Sequence, residues 1–152
     1  MALQLTAALV TLATPEVECL VHFYSQLFHQ QPIHYQPDRY AEFNLPGLRL
    51  GIFKPRQDHE AEFQHRVQTG VSLCLEVADL DAAIVHLTAL GFPPTSEIMT
   101  APHGREIYGT DPIGTRLILH QPVAPPRSQP PEAHRQPQEP LGEWPPKPVQ
   151  HP

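Results

Sequence analysis

The sequence predicts an α+β chain of two βαβββ modules, residues 5–53 and 71–120, followed by a proline-rich tail. Three observations predict it. A β-rich apolar stretch, a helical stripe and three short strand-like runs occur in that order twice, about 64 residues apart. Each module has one helix and one small sheet, too little to bury a core alone, so the two should pack together. Proline then changes the chain's character: of 20 prolines, eleven fall between Pro122 and Pro152. The globular body is therefore residues 1–121, and residues 122–152 form a tail.

The first module opens with a strand over Leu5–Leu12. Thr14-Pro15-Glu16 offers a hydroxyl cap, proline at the first helical position and acid in the first turn. Val17, Leu20, Val21, Tyr24, Leu27 and Phe28 then share one helical face, and the helix should end near His29, before Pro32. Strands follow around residues 33–35, 40–44 and 48–53, separated by turns at Gln36-Pro37-Asp38 and Pro46-Gly47. A polar connector leads to the second module. Its first strand is 71–77, and Asp79 caps a helix whose core face is Leu80, Ala83, Ile84, Leu87 and Leu90, closed by Gly91. The last three strands fall around 96–100, 105–108 and 115–120, the last entered by the turn Asp111-Pro112-Ile113-Gly114. The tail cannot bury enough apolar surface to offset its chain entropy, which predicts a disordered, extended segment.

Charge and composition exclude several classes. The body holds seven Lys/Arg against thirteen Asp/Glu and carries the whole net charge of −6. An acidic body without a basic cluster argues against nucleic acid as a partner. No apolar run approaches the roughly 20 residues of a membrane span. The apolar start lacks a positive leader region, so it reads as a buried strand rather than a signal peptide. Cys19 and Cys74 form no metal-binding spacing and read as two buried thiols of a cytoplasmic protein.

Three stretches carry a resemblance: HFYSQLF (22–28), LEVADLDAAIVHLTALGF (75–92) and YGTDPIGTRLIL (108–119). They resemble the helix ends, capped helix and final turn-strand of the vicinal oxygen chelate superfamily, which includes glyoxalases, extradiol dioxygenases and bleomycin-resistance proteins. The resemblance spans residues 5 to 120, with His29 where that family usually has glycine. It implies two modules framing a cleft, often completed by a second chain, hence a homodimer. It also implies four metal-ligand places, which fall on Ala8, Gly51, Ser72 and Ile118. Only Ser72 among these offers a donor, and a weak one. The expectation is a cleft with no metal and no cofactor.

Strand alternation then says what shares the cleft. Ile118 brings Arg116 and His120; Gly51 brings Arg49 and Phe53; Ser72 brings Cys74 and Glu76; Ala8 brings Val10 and Leu12. Arg49 and Arg116 occupy equivalent places and would suit an anionic or planar ligand. The competing reading is an arginine solvated, or paired with Glu42 or Glu106. Cys74, Tyr108 and Phe53 read as core. Among the histidines only His103 and His120 could reach one cavity, while His22 and His86 read as surface groups.

The function expected is binding of a small organic ligand, possibly anionic, in a metal-free cleft, with ligand contacts from Arg49, Arg116, Ser72, Glu76, Ile118 and His120. Two alternatives stand beside it. One is a metal-dependent lyase or dioxygenase of the same superfamily. The other is a non-catalytic interaction module, with the PxxP-like runs 122–127 and 137–140 of the tail, or Trp144, meeting a protein partner.

Overall fold

A computed structural model of the chain describes residue 4 and residues 6–63 and 70–123. The tail beyond Val123, with its predicted disorder and its docking motifs, lies outside the described residues. Eleven elements follow in order: β1 (Val10–Ala13), α1 (Val17–Phe28), β2 (His34–Gln36), β3 (Tyr40–Leu45), β4 (Leu48–Phe53), a 3-10 turn (Glu60–Phe63), β5 (Ser72–Glu76), α2 (Leu80–Ala89), β6 (Met99–Ala101), β7 (Gly104–Thr110) and β8 (Arg116–Pro122). Apart from the 3-10 turn, this is βαβββ written twice.

Each module makes its own four-stranded sheet, in the orders β1-β4-β3-β2 and β5-β8-β7-β6. The first strand of each module pairs in parallel with the last, Val10 opposite Leu50 and Ser72 opposite Arg116. The other pairings are antiparallel. A helix must carry the chain from the outer strand to the far side of the sheet, and α1 and α2 do so.

Both helices cover one face of their sheet. Val17, Leu20, Val21, Phe23 and Tyr24 of α1 are buried, as are Leu80 and Leu87 of α2. Leu50 and Ile52 of β4, with Leu117 and Leu119 of β8, meet them in one continuous core. Each fully buried Leu or Ile of this kind contributes about 1.5–3 kcal/mol. The modules join through the helices. Phe23 meets Phe92 edge-on with centroids 5.0 Å apart, and the Tyr24 hydroxyl donates to Asp111 Oδ2 across 2.8 Å. His86 belongs to this seam rather than to the open surface: its Nε2 lies 3.0 Å from the Gln26 carbonyl, and its ring stacks on His29 at 4.8 Å.

The helix ends obey local chemistry. Asp79 Oδ1 accepts from the Ala82 amide, as a cap should. Gln121, on the last strand, accepts from the Leu80 amide as well. At the end of α2, Gly91 (φ +90°) lets the Phe92 amide reach the Leu87 carbonyl and its own amide reach Thr88. At the end of α1, His29 takes the same left-handed turn (φ +50°), with Gln30 bonded to Ser25 and His29 to Gln26. A histidine thus does what glycine does in the sister module.

Three expectations need correction. The first strand begins at Val10 and runs to Ala13, not over 5–12; its extent follows from pairing with β4, which apolar composition cannot show. Helix α1 starts at Val17, because the Thr14 hydroxyl turns to the Glu16 amide and leaves Glu16 at the cap position. Cys19 and Cys74 are exposed free thiols, not buried ones. Among the described residues no helix is long and apolar enough to cross a membrane.

Candidate functional site

The face of each sheet turned away from its helix is where chemistry can be placed. Alternation settles which side chains stand there. On β8, Leu117 and Leu119 are buried, while Arg116 is exposed and Ile118 and His120 are half-buried. On β5, Leu73 is buried, while Ser72, Cys74 and Glu76 are exposed. The parallel register puts Ser72 beside Arg116, Cys74 beside Ile118 and Glu76 beside His120. Five of the six expected ligand contacts therefore share one face. Arg49 does not join them; it lies on the open face of the other sheet.

That first face is largely closed by its own side chains. Glu42 is buried at 3% exposure, although it lies on the open side of β3. Its Oε1 accepts from Arg49 Nε at 2.7 Å and contacts the terminal nitrogen at 2.6 Å, and its Oε2 accepts from the Tyr40 hydroxyl at 2.7 Å. These bonds, the Tyr40 one foremost, hold the Glu42 carboxyl below its usual range and raise the Tyr40 phenol. A hollow of 480 Å³ lies at the Arg49 end of this sheet, lined also by Ala8, Leu9, Asn44 and Leu48. A larger one, 640 Å³, runs along the outer side of α1 past His22, Ser25, His29 and Tyr35, away from both open faces.

The second face carries the same parts in exchanged places. Register makes Tyr108 the counterpart of Glu42, and Glu106 the counterpart of Tyr40. The Tyr108 hydroxyl donates to Glu106 at 2.8 Å, which raises the phenol's pKa. The diagonal neighbour of Arg116 is therefore an aromatic ring, not a carboxylate. Its guanidinium lies 4.2 Å from the ring centre. Arg116 has no carboxylate partner among the described residues. Tyr108, read from sequence as core, is a platform, and the signal that could have found it was the Tyr-x-Glu/Glu-x-Tyr exchange between the modules.

At the other end of the strip, His120 Nδ1 stands 3.5 Å from Glu76, and its side chain is only 13% exposed. Its Nε2 is buried without a hydrogen-bond partner. The His103 ring lies beside it, 5.4 Å between centroids. Gly104 is required here: a Cβ would fall 2.2 Å from the Gln121 carbonyl and 2.8 Å from His120 Nε2. Cys74 lies between the ends. Partial shielding of its sulfur, then the charges of Glu76 and Glu106, push its thiol upward, which disfavours the nucleophilic thiolate.

The donors at the four family places bear on a metal site. The open-face neighbour of Gly51 is Thr11, with Leu9 also against it, so Ala8 is not a cleft position. Val10 pairs with Leu50 and Leu12 with Ile52, both core residues, which corrects their expected place in the cleft. The counterpart of Thr11 is Cys74, beside Ile118. Threonine, glycine, one thiol and isoleucine do not make a site for zinc, iron or nickel. No group of three or more His, Cys, Asp or Glu among the described residues could hold a metal ion.

Comparison with known proteins agrees with the architecture. The family model of the Glyoxalase/Bleomycin resistance protein/Dioxygenase superfamily matches residues 6–119. A family enzyme from Burkholderia phytofirmans PsJN superimposes with a TM-score of 0.65 at 16% identity, over 75% of this chain and 96% of that one. A glyoxalase/bleomycin resistance protein from Catenulispora acidiphila gives 0.54 at 21% identity, over 78% and 97%. A lactoylglutathione lyase from Agrobacterium tumefaciens gives 0.58 at 18%, over 76% and 93%. These structural likenesses show the fold alone. The search of curated proteins finds no match. With paired βαβββ modules and a family model spanning nearly the whole body, the chain belongs to the Glyoxalase/Bleomycin resistance protein/Dioxygenase superfamily.

Proposed function

We propose that the chain binds a small organic anion on the open face of its second module, without a metal ion. The observation that carries this reading is Arg116: an exposed guanidinium laid on Tyr108, with no carboxylate among the described residues to satisfy it. Arg49 holds the equivalent place but is already neutralised by Glu42, so only one of the two arginines is available. Ser72 beside Arg116 adds a hydroxyl, and Ile118 with the Tyr108 ring adds apolar contact. A planar carboxylate can take two parallel bonds from such a guanidinium.

An open strip excludes water poorly. A second copy of the chain covering it would turn the strip into a cleft, and we propose a homodimer in that role. Two exposed free thiols suit a reducing, cytoplasmic compartment.

The test is a titration of a benzoate series against the wild type, Arg116→Ala and Arg49→Ala, followed by NMR on β5 and β8. Loss of about tenfold or more in affinity in Arg116→Ala, with Arg49→Ala unchanged, is expected. Equal affinity in wild type and Arg116→Ala would overturn the assignment. Sedimentation velocity tests the dimer, and elemental analysis of untagged protein tests the metal-free state. One zinc, nickel or iron per chain would refute the latter.

A further inference from the structure

The second face is polarised along its strands. At one end stands Arg116. At the other, register lines up Glu76, His120 and Glu106 across β5, β8 and β7. Two carboxylates flank the His120 imidazole there, with the His103 ring beside it, so this end is negative while the two rings are neutral. Glu76 is well exposed, at 62% of its side chain. Between the ends lie Cys74 and Ile118, neither of them charged at neutral pH, with Tyr108 beside Ile118 on the next strand. The Arg116 guanidinium leans over the Tyr108 ring, so its separation from the acidic end is two to four residues of strand, about 7–13 Å.

Resting on the proposed anion site, we infer that the ligand is bipolar: a carboxylate at one end, an ammonium or strong hydrogen-bond donor at the other, and a short apolar span between. The carboxylate engages Arg116, the apolar span lies over Ile118 and Cys74, and the cationic end meets the exposed Glu76, with Glu106 adding to the field. The first module contains a model of the anionic half. There Arg49 and Tyr40 hold the carboxylate of Glu42, and the second module has a tyrosine where that glutamate would be. The exchange moves the protein's own carboxylate to Glu106 and leaves Arg116 to take one from a ligand.

The polarity also states what the site rejects. A dianion such as inorganic phosphate gains one arginine but faces two carboxylates nearby, and specificity is set by that repulsion as much as by the attraction. A plain alkylamine meets Arg116 with its apolar end.

The experiment uses the full chain and four probes: 6-aminohexanoate, hexanoate, hexylamine and inorganic phosphate. Binding is followed by calorimetry and by amide shifts on β5 and β8. The expected result is that 6-aminohexanoate binds about three- to tenfold tighter than hexanoate, since exposed charge pairs are worth modest amounts. Glu76→Gln, an exposed and conservative change, should erase most of that advantage, while hexanoate, which has only the anionic end and loses a repulsion, should bind at least as tightly as it does to wild type. Arg116→Lys should weaken both carboxylates and leave hexylamine unchanged. Half-molar salt should shrink the gap. If hexanoate binds through Arg116 as tightly as 6-aminohexanoate does, the bipolar ligand is wrong and the anion site stands. If no carboxylate perturbs β5 or β8, both fall. Tighter binding of phosphate than of either carboxylate would also overturn the bipolar assignment.

Discussion

Tyr24 and Asp111 meet at the seam between the modules, hydroxyl to carboxylate, with both side chains buried. The other oxygen of Asp111 accepts from the amides of Ile113 and Thr115, so the same carboxylate folds the turn before β8. Burial first, then the Asp111 charge, raises the Tyr24 phenol well above its usual range. Tyr24→Phe leaves a buried carboxylate oxygen without its donor. It should cost about 1–3 kcal/mol in denaturant unfolding, more than a phenol-to-phenyl change at a surface. An unfolding curve indistinguishable from wild type would show that water replaces the hydroxyl.

The two arginines should separate in stability as they do in binding. Arg49→Ala leaves Glu42 covered and short of its charged partner, and should destabilise the protein by about 1–3 kcal/mol. Arg116→Ala loses an exposed contact with the Tyr108 ring and hydroxyl and should stay within about 1 kcal/mol of wild type. Equal losses, read by chemical denaturation, would mean that Arg116 is a structural residue like its counterpart.

Glu42 also sets a pH dependence. Its carboxyl is held below the usual range, so its stabilising contribution is complete above the unfolded value, near pH 4.3, and is lost as pH falls through the lower folded value. Wild type should therefore exceed Glu42→Gln in thermal midpoint by a constant margin from pH 5 to 7. The margin should narrow below about pH 4. A margin that persists undiminished at pH 3 would assign the difference to packing rather than charge.

Gln121 closes the first turn of α2 from the last strand, accepting from the Leu80 amide at 3.0 Å. Gln121→Ala should cost about 0.5–1.5 kcal/mol, and hydrogen exchange should quicken at Leu80 before it does elsewhere in the helix. Unchanged protection at Leu80 would show that Asp79 caps the turn alone.

Much of the fold could be read because local chemistry decided it. Asp79 and Gly91 mark the ends of α2 by what their side chains can and cannot do. The strand Leu48–Phe53 was bounded by Pro46-Gly47, and its leucines and Ile52 fall on one face in register with the core. The same alternation placed Ser72, Glu76, Arg116, Ile118 and His120 on one face. It also placed Cys74 there, and reading that thiol as core ignored its neighbours' parity in favour of its usual habit. What failed needed long-range information. In the run around Ala7–Ala13 nearly every residue is apolar or small, so only pairing with β4 shows that Thr11, not Ala8, faces outward beside Gly51. The burial of Glu42 depends on Tyr40 and Arg49 closing over it, and a single strand carries no record of its cover.

The parallel pairing of first strand with last has a consequence for synthesis. β1 leaves the ribosome early but has no strand to bond until β4 follows it; β5 must likewise wait for β8. Such end-to-end closure is the slow part of folding, because the intervening loop entropy is lost first. The first sheet can close once residue 53 has emerged, while the second module is still being made. Asp111 then arrives just ahead of β8, and Tyr24 is already in place to receive it. A nascent chain would thus dock its second module on a finished first module, and the strip that carries Arg116 would form after the face that holds Arg49.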